Sequence, residues 1–254
     1  MDIKDRLKNL VLQENLTKVM WKLSLPANAA MVLYGLNAFM DTVYIGQLMN
    51  QTALAGVALA YPLTAIMMGL GSWAGTGAGN LLSIVLGKND EETQRKIIGN
   101  ATLFMLLTTS LFALPAYVFA DSLIQTMGGS GEVLAYGTEY LQITLLASPL
   151  WVYGLGLNFI VRAEGKMKEA AIMMSYGLGV NLVLTPIFIY YLDMGVAGAA
   201  WATNIGMLVY CLTGYLYFQR GKASFQADIH SFTYDQSVFS SIAKWAFPDL
   251  FSPL

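Results

Sequence analysis

Long apolar runs separated by short polar segments dominate the chain. A helix of about 20 predominantly apolar residues crosses about 30 Å of hydrocarbon. Six stretches are long enough, and we predict membrane-spanning helices at Leu25–Leu48, Ala53–Leu86, Ile97–Ala120, Val133–Val161, Ala170–Leu192 and Val196–Phe218. Barrel strands would instead alternate over about 10 residues. The pattern therefore predicts an all-α, polytopic membrane protein built as a six-transmembrane-helix bundle.

The segments outside these spans suggest four parts. Residues 1–22 interleave charged and apolar positions, which is typical of an amphipathic cytoplasmic leader that lies at the membrane interface or is simply solvated. Residues 23–219 form the six-helix lobe. Residues 220–236 are the longest polar connection after the first span and are a candidate cytoplasmic linker. Residues 237–254 are apolar again and are expected to be the truncated start of a seventh helix.

The basic residues indicate an orientation. All 14 lysines and arginines lie before the first span, between the second and third, between the fourth and fifth, or after the sixth. The intervening connections Met49–Thr52, Asp121–Glu132 and Asp193–Gly195 carry none. Cytoplasmic connections of membrane proteins are enriched in Lys and Arg. The pattern therefore predicts a multi-pass protein of the cell (cytoplasmic) membrane with its N-terminus in the cytoplasm.

Composition excludes several function classes. Only 12% of the residues are charged, against roughly 25% in soluble domains. A net charge of −2 provides no basic surface for nucleic acid. One cysteine and one histidine provide neither a disulfide framework nor a His/Cys metal site. Nothing in the sequence supports an enzyme or a bound cofactor.

Asp41 is the ionisable residue that lies well inside an apolar run. An acid within the membrane is costly and indicates a functional site, although an acid that reaches the outer interface is the alternative. Burial favours the neutral carboxyl, which makes Asp41 a candidate proton carrier. Tyr34, Asn37, Asp41 and Tyr44 share one helix face, which must face the bundle interior or a water-filled cavity.

Pro26 lies about four turns from Asp41 on the same predicted helix. Proline can kink a helix because it lacks the amide hydrogen. A kink that responds to protonation of Asp41 is one hypothesis, and an ordinary membrane-helix proline is the other.

Further polar residues lie in the later spans: Asn158 in the fourth, Asn181 and Thr185 one turn apart in the fifth, and Thr203 and Asn204 in the sixth. Single residues of this kind usually form hydrogen bonds between helices. Together with a buried acid they also fit an oxygen-lined ion or proton site, because such oxygens suit hard cations. Both interpretations remain open from the residues alone.

Small and adaptable residues add two expectations. Gly71, Gly75 and Gly79 are spaced four residues apart, which predicts close helix packing and not a dinucleotide-binding loop. The 14 methionines and numerous aromatic residues are compatible with an adaptable pocket for organic cations.

Five stretches, spread in order over nearly all of residues 20–220, together resemble the N-terminal six-helix lobe of the multidrug and toxic compound extrusion (MATE) transporters. They are PANAAMVLYGLNAFMDTVYIG at 26–46, GLGSWAGTGAGNLLSIVLG at 69–87, NFIVRAEG at 158–165, NLVLTPI at 181–187 and GVAGAAWAT at 195–203.

The resemblance implies one lobe of a twelve-helix secondary antiporter that exports organic cations, drugs or other amphipathic compounds in exchange for H⁺ or Na⁺. It implies an ion or proton site at Asp41 with Asn181 and Thr203, and it adds Asn158 to the polar network. The family often has an acid where this sequence has Thr185. A lone carboxylate suits a proton, or a weaker Na⁺ site, better than a two-acid cage.

The resemblance also implies partners. The family moves substrate through a cleft between two lobes, so we expect a lipid bilayer, an amphipathic small-molecule substrate, and a missing C-terminal lobe or second half-transporter. A non-transporting fragment and a half-transporter both remain open, and the apolar stretch from residue 237 favours a fragment. A flippase-like exporter of another substrate is disfavoured because no Lys or Arg lies deep inside a span.

Overall fold

The structure is a computed structural model that describes residues 16–225, 227–229 and 234–246; several side chains of the first helix, including those of Pro26 and Tyr34, are outside this description. Within this part of the chain the regular elements are helical and no strand occurs. The helices are α1 Leu16–Leu48, α2 Gln51–Lys88, α3 Glu91–Val118, α4 Ala120–Thr126, α5 Gly131–Leu146, α6 Ser148–Ala163, α7 Met167–Pro186, α8 Gly195–Gln219 and α9 Gln236–Ala246. The predicted all-α membrane fold is confirmed.

The long helices correspond to the predicted spans. Among the described residues, α2, α3, α8 and α7 with its extension are long and apolar enough to cross a membrane, and α5 with α6 forms a fifth span bent by 55°. Helix α1 is 33 residues long and carries Asp41. Residues 1–15 of the predicted leader and residues 247–254 of the predicted seventh helix lie outside the described residues.

Two predicted spans differ in detail from single straight α-helices. The fourth divides at Ala147 into α5 and α6. The fifth continues beyond Pro186 as a π-helical segment, Ile187–Tyr191. Proline lacks the amide hydrogen that continues the regular bonding pattern, and the wider π turn follows directly after it. Apolar periodicity does not reveal either change.

Polar residues cap both ends of α2 and the start of α3. The Asn50 side chain accepts a hydrogen bond from the Ala53 amide over 2.7 Å at the start of α2. Asn89 ends α2 in the left-handed region with φ 57°, and the Asp90 carboxylate accepts from the Thr93 amide at the start of α3. Each cap satisfies a backbone group that the helix itself leaves unpaired.

Helix α2 packs closely against α6 along the predicted glycine stripe. A Cβ atom on Gly75 would lie 2.8 Å from Cδ2 of Phe159, and one on Gly79 would lie 3.3 Å from Cβ of Ala163. Only glycine permits this approach without displacing the neighbouring helix. The packing prediction is therefore confirmed.

A buried acid connects two segments at the end of the bundle where the α2–α3 and α6–α7 connections lie, which we call the basic end. Glu164 is 3% exposed. Its carboxylate accepts from the Ser224 amide over 2.6 Å and from the Tyr217 hydroxyl over 3.3 Å. Lys166 lies 3.5 Å from the same carboxylate and also donates to the carbonyl oxygen of Lys222. These contacts hold the start of the segment after α8 against the α6–α7 turn.

The segment after α8 is also fixed where α9 begins. Lys96 on α3 lies 3.1 Å from the carboxylate of Asp235, and the Asp235 amide donates to the Asn100 side chain over 2.9 Å. The Phe104 and Phe239 rings pack edge to face with centroids 5.3 Å apart. Helix α9 is therefore docked onto the lobe by both polar and aromatic contacts.

Candidate functional site

Asp41 lies on α1, its carboxyl group faces α7, and the residue is 8% exposed. The Thr185 hydroxyl donates to its Oδ1 atom over 3.2 Å, and Nδ2 of Asn37 lies 3.5 Å from its Oδ2 atom. Asn37 is one turn earlier on α1, so helical periodicity places both polar groups on one face. The carboxyl group is thus buried among polar neighbours from two helices.

Asn181 connects this carboxyl group to α8. When the amide is oriented with its nitrogen toward α1, it donates to Asn37 Oδ1 over 2.8 Å and to Asp41 Oδ1 over 3.3 Å. Its oxygen then faces Thr203 Oγ1 at 3.1 Å. Four of the predicted residues, Asn37, Asn181, Thr185 and Thr203, therefore gather around Asp41, and we call these five residues the Asp41 cluster.

The chemistry of the Asp41 cluster is that of one carboxyl group and several neutral oxygens. The described residues contain no group of three or more His, Cys, Asp or Glu side chains close enough to hold a metal ion. Hydroxyl and amide donors stabilise a charged carboxylate, whereas low exposure favours the neutral form. Such a site can hold and release a proton, and its oxygens also suit a small hard cation.

Asn158 has a different set of partners. Its Nδ2 atom donates to the carbonyl oxygen of Ala170 over 2.7 Å, and its Oδ1 atom accepts from Nε of Arg162 over 2.8 Å. Asn158 therefore fastens the end of α6 to the start of α7. Neither of these bonds leads to Asp41.

The remaining predicted residues are placed only in part. Tyr44 is half-buried on α1 and packs against the hydrophobic core. The side chains of Tyr34 and Pro26 lie outside the described residues, although the α1 backbone is helical at both positions. The predicted proline kink is therefore not tested.

A second feature, which we call the methionine pocket, lies between α2, α6, α7 and α8. Its walls are almost entirely apolar. Two of the lining residues carry a polar atom, Nε1 of Trp151 and the hydroxyl oxygen of Tyr210, that is buried without a hydrogen-bond partner in the part of the chain that the structure describes. The lining residues are Met67, Met68, Trp151, Leu155, Met174, Gly177, Leu178, Met207 and Tyr210.

The composition was compatible with an adaptable pocket and did not give its position. Four helices each contribute a few side chains, so no local motif marks the pocket. The high methionine count is the signal in the sequence that corresponds to it, because methionine adapts to varied apolar partners.

Fold and site together define a polytopic α-helical membrane protein with a buried carboxyl group, Asp41, in contact with polar side chains of α1 and α7. The MatE family model matches residues 26–187. The multidrug export protein MepA of Staphylococcus aureus (strain MRSA252) is 29% identical over 232 residues, which are 91% of this chain and 51% of that relative.

Solved structures show the same similarity. A MOP superfamily transporter from Pyrococcus furiosus superposes with a TM-score of 0.85 and 27% identity, covering 94% of this chain and 53% of that one. An outward-facing multidrug resistance MATE family transporter gives the same values. The chain belongs to the MatE family, and it spans about half the length of the relatives it matches.

Proposed function

We propose that the chain is the ion-coupling lobe of a secondary antiporter that exports organic cations or other amphipathic compounds in exchange for H⁺ or Na⁺. The observation that carries this proposal is the burial of Asp41 among donors from α1 and α7. A carboxyl group in this setting changes its bonding when it gains or loses a proton. It is therefore suited to couple an ion gradient to helix movement.

Protonation of Asp41 would change the contact between α1 and α7. An ionised carboxylate accepts hydrogen bonds strongly from Thr185 and Asn181. A neutral carboxyl group accepts them more weakly and gains one donor of its own. Proton uptake would thus loosen α1 from α7, and proton release would restore the stronger contact.

The proton is the better candidate for the coupling ion, and Na⁺ is the second. One carboxyl group suffices to carry a proton. Na⁺ prefers several oxygen ligands. The Thr185 hydroxyl oxygen lies 3.2 Å from the Asp41 carboxyl group, and Asn181 links that group to Thr203, so further oxygens would have to turn toward a bound Na⁺. The site of the coupling ion is the Asp41 cluster in both cases.

The methionine pocket is the proposed substrate site. Met67, Met68, Met174 and Met207 provide an adaptable apolar wall, and Trp151 provides an aromatic face that suits an organic cation. The side chains of Trp151 and Tyr210 also carry buried donors without a partner among the described residues, which an acceptor atom of a substrate would satisfy if the pocket walls moved to admit it. The names of the relatives, multidrug export protein and multidrug resistance transporter, agree with this substrate class.

The complete transporter requires more than this lobe. We propose that the basic end lies in the cytoplasm, in accordance with the distribution of Lys and Arg, and that a second lobe supplies the other wall of the substrate cleft. The protein would act by transport across a cell membrane without enzymatic chemistry or a cofactor.

Transport in proteoliposomes tests the proposal. The chain and its second lobe are reconstituted together, and efflux of a cationic dye is driven by a pH gradient or a Na⁺ gradient. We expect Asp41→Asn to abolish driven efflux, because the amide cannot exchange a proton. Asp193→Asn is the matched control, since Asp193 is an exposed acid outside the Asp41 cluster. Unchanged efflux in Asp41→Asn would contradict the proposal.

A further inference from the structure

The bend between α5 and α6 frees backbone acceptors in the middle of the lobe. The Ala147 amide, which would continue the helix by bonding to Ile143, bonds to the Thr144 carbonyl oxygen over 3.3 Å instead. Pro149 has no amide hydrogen to offer Leu145. A buried carbonyl oxygen that loses its helical partner requires another donor.

Side chains supply these donors. The Ser148 hydroxyl donates to the Leu145 carbonyl oxygen over 2.7 Å. Asn204 on α8 donates from Nδ2 to the Ile143 carbonyl oxygen, also over 2.7 Å. Ser148 lies at the bend itself, whereas Asn204 reaches it from a different helix and is 4% exposed.

Asn204 is adjacent to a member of the Asp41 cluster. Thr203, the preceding residue, contacts Asn181 on α7, while Asn204 points to α5. Successive residues of a helix differ in direction by about 100°. Helix α8 therefore connects the Asp41 cluster on one side with the bend on another.

The bend also determines one wall of the methionine pocket. Trp151 and Leu155, which line the pocket, lie within the first eight residues of α6. The direction of α6 after Ala147 therefore places these side chains. A change in the 55° angle would move them relative to Met174 on α7.

We infer that Asn204 is a positioning residue that holds the α5–α6 bend and thereby places the α6 wall of the methionine pocket. Its relevance to transport rests on the proposed function, whereas its effect on the bend does not. Substitutions at Asn204 should thus alter substrate fit without removing a group from the Asp41 cluster.

The bend can be measured by double electron–electron resonance, which gives the distance between two spin labels. Spin labels are attached to cysteines that replace Glu132, at the start of α5, and Lys168, in the first turn of α7 directly after the α6–α7 connection. Both residues are exposed, and Cys211→Ala removes the native thiol. Each arm has 16 residues, or about 24 Å, so straightening a 55° bend would separate the far ends by about 5 Å.

We expect Asn204→Leu to lengthen or broaden the distance distribution, by up to about 5 Å in the mean. Thr144→Val is the matched control, because its buried hydroxyl has no partner among the described residues and its loss should leave the distance unchanged. If Asn204→Leu does not fold, Asn204→Ala takes its place with the same expectation. The inference is overturned if the folded Asn204→Leu variant keeps the label distance of the parent protein, or if Thr144→Val changes that distance by the same amount.

Transport distinguishes this role from ion coupling. In the reconstituted system, Asn204→Leu should raise KM for the exported cation by about tenfold, which corresponds to about 1.4 kcal/mol. The H⁺ or Na⁺ concentration that gives half-maximal rate should not change. A loss of ion dependence like that expected for Asp41→Asn would overturn the positioning role, whereas ion-independent efflux in the parent protein would contradict the proposed function instead.

Discussion

The hydroxyl of Thr185 on α7 donates to Oδ1 of Asp41 on α1 over 3.2 Å and joins residues 144 positions apart in the chain. The same hydroxyl oxygen lies 2.9 Å from the carbonyl oxygen of Asn181. One hydroxyl hydrogen cannot serve two acceptors fully, so the carboxyl group and the helix backbone compete for it. The charge on Asp41 therefore decides how strongly α7 is tied to α1.

Thr185→Asp would add the second carboxylate that the MATE family often has at this position. Two carboxylates this close repel each other, and a cation between them relieves that repulsion. We expect the half-saturating Na⁺ concentration for driven efflux to fall by on the order of tenfold, about 1.4 kcal/mol. Thr126→Asp, an exposed position on α4, adds the same charge elsewhere. Equal Na⁺ dependence in both variants would argue against an ion site at Asp41.

The glycine stripe predicts a contrast between two alanine variants. Gly75→Ala should destabilise the lobe by about 1–3 kcal/mol, because the new Cβ would lie 2.8 Å from the Phe159 ring. Gly69→Ala is the control, since no atom lies within 4 Å of its Cβ position. It should be neutral or stabilising by about 0.5–1 kcal/mol. Thermal unfolding in detergent measures both, and equal midpoints would contradict close α2–α6 packing.

The burial of Glu164 predicts that the free energy of unfolding depends on pH. Burial raises the pKa of Glu164 above its ordinary value of 4.5, opposed by hydrogen bonds from Ser224 and by the charge of Lys166. The folded state therefore binds this proton more tightly than the unfolded state. The stabilisation is complete below the ordinary pKa and is lost as pH rises through the raised one.

Chemical denaturation across this pH range tests the assignment. Glu164→Gln should remove the corresponding part of the slope of stability against pH, since glutamine does not titrate. Glu169→Gln replaces an exposed acid on α7 and should keep the slope. An unchanged slope in Glu164→Gln would mean that other groups produce the dependence.

Asp235 both caps α9 and pairs with Lys96, and two substitutions separate these roles. Its carboxylate accepts from the Ser237 amide over 3.0 Å at the start of α9 and pairs with Lys96. Asp235→Asn keeps the helix cap, whereas Asp235→Ala loses it at a cost of about 1 kcal/mol. Amide hydrogen exchange in α9 should therefore be about fivefold faster in Asp235→Ala than in Asp235→Asn. Equal rates would show that the cap does not hold α9.

Two tyrosines on α8 predict different changes in stability when their hydroxyl groups are removed. Tyr210 has a buried hydroxyl without a partner among the described residues, so Tyr210→Phe should not lower stability. It should weaken the binding of cations that carry an acceptor group. Tyr217 donates to Glu164, and Tyr217→Phe should cost about 1 kcal/mol. Unfolding and dye-binding measurements separate the two, and a destabilised Tyr210→Phe would imply a missing partner.

The helical spans and the special status of Asp41 were predictable from the sequence. The required length of an apolar helix is set by membrane thickness, and an acid inside such a helix is unusual. The spacing of Gly71, Gly75 and Gly79 likewise predicted a packing face, because residues four apart lie on one side of a helix.

The partners of each polar residue were not predictable in the same way. Asn158 and Asn181 are both asparagines within apolar spans, yet Asn158 bonds to Ala170 and Arg162, whereas Asn181 lies beside Asp41. The bend at Ala147, the methionine pocket and the contact of Glu164 with Ser224 were equally absent from the pattern. The pocket and the Glu164 contact depend on residues that are distant in the chain, whereas Pro149 marks the bend locally without giving its angle or its partner Asn204.

The sequence by itself determined an all-α membrane lobe, the approximate positions of its spans and the acid that lies well inside one of them, because these follow from local apolarity and helical periodicity. Tertiary structure decided that Asn37, Asn181, Thr185 and Thr203 gather around that acid and that Asn204 supports the bend. The reason is geometric: the rotation and depth of each helix are set by packing against its neighbours, and only that arrangement brings distant side chains within hydrogen-bonding reach.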